Sequence, residues 1–411
     1  MIYRNLKSVC RFIFLIVITC SVSYAQNVVP SERVQDRVIV REESTAQSGV
    51  VGSLRKGESA ELIEVVPYWY KIKLNNGAIG YVSKAWTDLA DESVSADSIK
   101  KSDLIVGSWN IKWFGRGETG RHNYSEMAEI ISQMDVVAIQ ELMEPNCSSE
   151  LDSLRSNLAE KGFKYSYVIS NSTGYLDNPE AGKNDYIEKY GFMWDIDRIN
   201  LLNAETPLTF ASSPTINNAR CRQVPVYADF KVKDGNGFDF RIMTIHTVYN
   251  KNINQVRKSE LELVNEWLVD QSTNVNNVEK NVIVIGDFNA NPSGQPHHFR
   301  DIISNSTDYR VLFEESLSTG EATIRTTIQQ SENPGPSYFL LPVYDHALVS
   351  NETSYALPHN PMIKTGEDLG VVEFDQEPLW KNLNDWNEVI SKMSDHRPIW
   401  FRIDYNSEDR D

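Results

Sequence analysis

Residues 281–292, NVIVIGDFNANP, place four β-branched residues in a row, Val282, Ile283, Val284 and Ile285, and then stop at Gly286, Asp287, Phe288 and Asn289. The run reads as an apolar strand. Its tip carries a carboxylate and an amide, which are costly to bury unless something holds them. From Leu104 onward the same kind of segment recurs: LIVGSWNIKWF, DVVAIQEL, YGFMWD, VPVYADFKV, FRIMTIH, YDHALVS and RPIWFRI all read as strands. Three helix-like stretches are interposed. YSEMAEIISQM puts Met127, Ile130, Ile131 and Met134 on one face, ELDSLRSNLAEKG stops at Gly162, and INQVRKSELELVNEWLV is expected to bury Val256, Val264, Trp267 and Leu268. Many strands with a few helices predict an α/β sandwich. The uneven connection lengths do not suit a strict βαβ barrel.

The strand ends repeat the pattern of the first one. Asn110 sits in SWNIKW, Glu141 ends VVAIQE, Glu188 precedes KYGFMW and His246 ends IMTIH; Asp345 and His346 open YDHALV, and Asp395 and His396 open SDHRPIW. Each has an ordinary structural reading by itself, as a cap, a turn residue or a satisfied core histidine. Together they predict that the tips of one or two sheets converge on a single cleft. Glu141, Glu188, Asp287, Asp345 and Asp395 cannot all stay ionised at close quarters without a cation. Oxygen-rich donors favour Mg²⁺, with Mn²⁺ or Ca²⁺ as alternatives, over zinc. A hard cation with imidazoles oriented by carboxylates suits attack of water on phosphorus.

The rest of the chain frames that region. Arg4, Lys7 and Arg11, then FIFLIVITC, then SVSYA follow the plan of a secretory signal cut after Ala25, so residues 1–25 are expected to leave and the protein to be secreted or periplasmic. A lipoprotein cut before Cys20 is the alternative, with Thr19 a poor residue before it. Cys147 and Cys221 would then remain, either as a disulfide or as two separate buried thiols. RVIVRE, SAELIEVVPYWYKIKL and AIGYVS, punctuated by Asn75-Asn76-Gly77, predict a small all-β barrel over residues 31–89. ADESVSADSIKKSD, around residues 90–103, reads as a linker to a second domain over 104–405. A net charge of -17 argues against DNA binding by bulk electrostatics, but not against phosphate held through bound cations.

VIVREESTAQSGVVGSLRKGE and WYKIKLNNGAIGYVSKAW resemble a bacterial SH3-like (SH3b) domain, a family that commonly binds cell-wall peptide or other partners. The ordered set WNI, IQE, IH, GDFN, YDHALVS and SDH resembles the endonuclease/exonuclease/phosphatase superfamily. YIEKYGFMW, and IH followed by a long helix and GDFNA, are most similar to deoxyribonuclease I. The resemblance implies a four-layered α/β/β/α sandwich with the site at one end of two packed sheets. It also implies roles. Glu141 and Asn110 match metal ligands and Asp395 a second ligand or orienter. Asp287 and Asn289 match the pair that orients water and binds phosphate, His246 and His396 the catalytic histidines, and Glu188 and Asp345 the carboxylates that hold them. Tyr186 and Arg222 match substrate contacts, with Arg220 competing for the second place.

Two departures stand out: His346 lies where deoxyribonuclease I has a basic residue, and a long insertion, NETSYALPHNPMIKTGEDLGVVEFDQEPLWKN, precedes SDH as a candidate loop beside the cleft. The implied activity is a metal-dependent phosphodiesterase acting on DNA. Two alternatives are a sphingomyelinase-like or other phosphoesterase, with Tyr338-Phe339-Leu340-Leu341 as a candidate lipid-facing loop, and a wall-binding protein with an inactive catalytic domain.

Overall fold

Alternating burial along VPVYADFKV and continuous burial along VIVIGD already separate an outer strand from a central one. The computed structural model describes most of residues 27–405, leaving out 91–102, 173–187, 203–222, 249–253, 291–298, 314–326, 331–337, 359–367, 376–385 and several shorter runs. The expected signal, Tyr186, Arg220, Cys221 and Arg222 all lie outside the described residues. Cys147 is buried and unbonded among the described residues. The chain divides into two units between Asp97 and Ser98.

The first unit is a seven-stranded antiparallel sheet around Val28, Val38, Val40, Leu54, Ile72 and Val82. Its strand Asn27–Pro30 pairs with both Ala60–Val66 and Thr87–Ala90, so the all-β unit begins ahead of residue 31.

The second unit is built from two six-stranded sheets. The first runs in the order Tyr165–Ile169, Glu188–Asp195, Val136–Met143, Asp103–Phe114, Ile399–Asp404, Leu369–Val371. The second runs Ile199–Leu201, Val226–Val232, Asp239–His246, Val282–Asp287, Asp345–Ser350, Tyr309–Val311. They pack face to face through one core that includes Val106, Val136, Phe192, Phe230, Phe240, Ile283, Ile285 and Phe401. Opposite-parity residues face outward to helices. Met243, Val282, Val284 and Leu348 meet Leu261, Val264, Trp267 and Leu268 of the helix Asn254–Thr273. Helix Cys147–Glu160 packs on the strand Tyr165–Ile169 of the first sheet and on helix Tyr124–Ile131. The layers are α/β/β/α. Val256 is exposed rather than buried, because the helix meets the sheet through Leu261 and Leu263 in its next turns.

The insertion before SDH does not simply hang beside the cleft. It supplies the edge strand Leu369–Val371, and its Asp375 forms a fully buried ion pair with Arg397, the residue after His396. Phe374 packs on Trp109, whose Nε1 donates to the His396 carbonyl at 2.9 Å. Tyr338–Leu341 pairs with Thr327–Gln330 as a two-stranded sheet.

Candidate active site

In the second sheet the parallel pairing of Asp239–His246 with Val282–Asp287 sets His246 opposite Asp287, and antiparallel pairing sets Asp287 opposite Asp345. Three polar tips therefore lie in one row across three strands. Gly286 makes the row possible. Its φ is +152°, and a Cβ there would stand 2.1 Å from the Ile245 carbonyl oxygen. Gly286→Ala is expected to cost about 3 kcal/mol and to remove activity, checked by thermal melts alongside turnover.

The first sheet contributes Asn110, Glu141 and Glu188. Asn110 is fully buried, and its Nδ2 donates to Glu141 Oε1 at 3.0 Å and to Asp287 Oδ2 at 3.2 Å, joining the two sheets at their tips. Glu141 holds a strained φ of +59° and accepts from the Trp113 N–H at 3.0 Å. Gln140 of the IQE motif turns the other way, bridging Ser108 at 3.0 Å and Thr244 of the second sheet at 2.7 Å.

Two imidazole–carboxylate pairs face each other across Asp287. His246 Nδ1 lies 2.9 Å from Glu188 Oε1, and His396 Nδ1 lies 2.9 Å from Asp345 Oδ2. With each Nδ1–H donating to its carboxylate, both Nε2 atoms are left pointing at Asp287 Oδ2, each at 3.5 Å. Burial by itself lowers both imidazole pKa values. The charge and hydrogen bond of Glu188, with Asp287 and Glu141 beyond, outweigh it and leave His246 well above the ordinary value. Asp345 and Asp287 do the same for His396, which rises to about 10. Burial raises Glu188 and Asp287, and the facing imidazoles oppose that rise.

Asn289, at φ +43°, donates its N–H to Asp287 Oδ1 at 2.8 Å and its Nδ2 to the Thr247 carbonyl at 2.7 Å, which locks the Asp287 carboxylate in place. Ser394, the first residue of SDH, accepts from the His396 N–H at 3.0 Å and donates to the Asn110 carbonyl at 2.6 Å.

Asp395 pairs with Lys112, so part of the counter-charge at the site is a side chain. His346 is not in the cleft: it is fully buried, stacked on Phe299 at 4.1 Å and donating Nε2–H to the Ala290 carbonyl at 3.1 Å. Lys112, Ser394, Trp109 and Gln140 were not singled out from the sequence, although a lysine inside an otherwise apolar strand was a visible signal for the first.

The donor set fits a divalent cation. Ligand atoms of Glu141, Glu188 and His246 lie within 4.8 Å of one another, as do those of Asp287, Asp345 and His396. Glu188 and Asp345 are already committed to imidazoles, which leaves Glu141 as the principal acidic ligand. Asn110 Oδ1 beside it is buried and has no hydrogen-bond partner among the described residues. An orphaned buried carbonyl oxygen next to a carboxylate is the arrangement a hard cation satisfies.

A two-sheet sandwich whose strand tips gather paired imidazole–carboxylate dyads, an amide and a further carboxylate defines a hydrolase of phosphate esters. The chain belongs to the Endonuclease/Exonuclease/phosphatase family, whose model matches residues 107–396, and the Bacterial SH3 domain model matches residues 36–88. A deoxyribonuclease from Thioalkalivibrio sp. (strain K90mix) is 25% identical over 316 residues, covering 74% of this chain and 72% of that protein. Among solved structures, an endonuclease/exonuclease/phosphatase family protein from Bacteroides thetaiotaomicron is 16% identical, covers 73% of this chain and 97% of that one, and has a TM-score of 0.45. The human Nocturnin catalytic domain is 17% identical, covers 74% and 94%, and has a TM-score of 0.46.

Proposed function

We propose that this enzyme is a secreted or periplasmic deoxyribonuclease, an endonuclease that hydrolyses DNA with little sequence preference and leaves 5′-phosphates. One observation carries the reading: a single carboxylate oxygen, Asp287 Oδ2, is shared by two imidazole Nε2 atoms, each backed by its own carboxylate. The substrate class is supported by the relative whose name is deoxyribonuclease. The secretory pattern at residues 1–25 supports the location.

A divalent cation, Mg²⁺ before Mn²⁺ or Ca²⁺, would be held by Glu141 and Asn110 and would supply positive charge to the phosphoryl oxygens. The chain's own groups do the rest. Asp287 takes the proton of the attacking water, which His246 helps to hold. His396, kept protonated by Asp345, gives a proton to the leaving 3′ oxygen. Asn289 fixes Asp287, and Arg222, which matches a substrate contact by resemblance, is proposed to meet phosphate. The complete constellation argues against an inactive catalytic domain. The SH3-like unit is proposed to tether the enzyme to cell wall or to another partner.

The test is plasmid DNA with purified protein and Mg²⁺, with and without chelator. Nicking that chelator stops is the expected result. Intact plasmid, with release of phosphocholine from sphingomyelin or of phosphate from monoesters, would replace DNA with one of those substrates.

A further inference from the structure

Trp113 is out of place on stability grounds. Its φ is +52°, a left-handed conformation that bulky side chains avoid, and the residue is 38% exposed. The strand Asp103–Phe114 slips register between Asn110 and Phe114, so Phe114 is buried while Trp113 is turned outward. The surrounding chain enforces this. The Trp113 N–H is tied to Glu141 at 3.0 Å, and its carbonyl accepts from the Arg116 N–H at 3.0 Å. Gly115 packs so tightly on the start of the helix Cys147–Glu160 that a Cβ would meet Cys147 N at 2.3 Å. Buried Glu150 clamps the following loop through the Gly120 N–H at 3.2 Å, Tyr124 Oη at 2.6 Å and His122 Nδ1 at 3.0 Å. The Arg116 guanidinium sits 4.8 Å from the indole centroid and Lys112 Nζ 5.4 Å. In a chain of net charge -17, residues 112–121 carry Lys112, Arg116 and Arg121 against Glu118 alone.

We propose that Trp113 is a stacking platform for a nucleobase next to the scissile phosphate, with Arg116 beside it to meet the adjoining backbone phosphate; this rests on the deoxyribonuclease reading. Strain that is enforced from several sides, at the rim of a catalytic cleft, is what a presented recognition group requires. An indole flanked by a guanidinium matches the chemistry of single-stranded nucleic acid, a flat apolar face joined to an anion. The tie from its N–H to Glu141 sets the platform at a fixed offset from the proposed metal ligand.

The experiment compares a single-stranded oligonucleotide with an abasic strand of equal length, which keeps the phosphates and removes the bases. Trp113→Ala is expected to raise KM for the oligonucleotide about tenfold and to raise it much less for the abasic strand. Trp113→Phe should recover most of the loss. Trp113→Gly, which relieves the left-handed strain, should melt no lower than the parent while keeping the raised KM. Equal losses on both strands, or a lowered melting temperature in the glycine variant, would make Trp113 a mere backbone anchor and overturn the proposal. So would an unchanged KM, or a parent enzyme that nicks plasmid but ignores the oligonucleotide; either leaves the deoxyribonuclease reading intact. A parent enzyme inert on all DNA removes both.

Discussion

His396→Ala is expected to lower kcat on DNA about 10³-fold, and His246→Ala by a similar factor, each measured at temperatures where the variant remains folded. Both rings are buried and both Nε2 atoms face Asp287 Oδ2 at 3.5 Å, so each has one carboxylate behind it and one shared carboxylate in front. The double variant should be scarcely worse than either single one, because the groups act on the same proton path. Steady-state rates on plasmid measure this, and two small independent losses would contradict it.

The pH dependence has a definite sign. Burial alone pulls the His396 pKa down, and Asp345 with Asp287 outweighs it, so the imidazole keeps its proton up to about pH 10. In Asp345→Asn the largest opposing charge is gone and burial dominates. The proton is then lost at lower pH, and the alkaline limb of the rate profile is expected to move toward neutrality. A profile that does not move would mean that His396 is not the proton donor.

The largest stability effect is expected at Arg397 and Asp375. Both side chains are essentially fully buried, and Arg397 Nε and Nη2 each meet an Asp375 carboxylate oxygen at 2.7 Å. Removing one partner leaves an uncompensated buried charge, which costs about 3–5 kcal/mol. For a domain of this size that is a fall of roughly 10 °C in melting temperature. Arg397→Ala or Asp375→Asn should show it by calorimetry, and Arg397→Met with Asp375→Leu should lose less than either single variant. Because Arg397 follows His396, and Phe374 packs on the Trp109 that holds the His396 carbonyl, the single variants should also lose turnover at temperatures where they remain folded.

Which residues gather at the site was legible where an apolar strand stops at a polar group. Asn110, Glu141, Glu188, His246, Asp287, Asn289, Asp345 and His396 all carry that mark, and the fold gathers them. Residues whose importance lies in a partner far along the chain were not legible. Lys112 acquires meaning from Asp395, Gln140 from Thr244 and Arg397 from Asp375. His346 misled because it sits one place beyond Asp345 on the same strand. Successive side chains point to opposite faces, so one residue of parity sends it into the core against Phe299. Val256 misled because helical period alone does not say which turn reaches the sheet.

The amino-acid sequence by itself determined the inventory: two units, strands and helices in order, and a set of acids, amides and imidazoles at strand tips, since local periodicity and the cost of burying polar groups are properties of short segments. Tertiary structure alone decided which carboxylate serves which imidazole, that Asp287 is shared, and that the insertion reaches back to hold the turn after His396. Those are distances between residues separated by tens to hundreds of positions, set by sheet register and packing rather than by any local pattern.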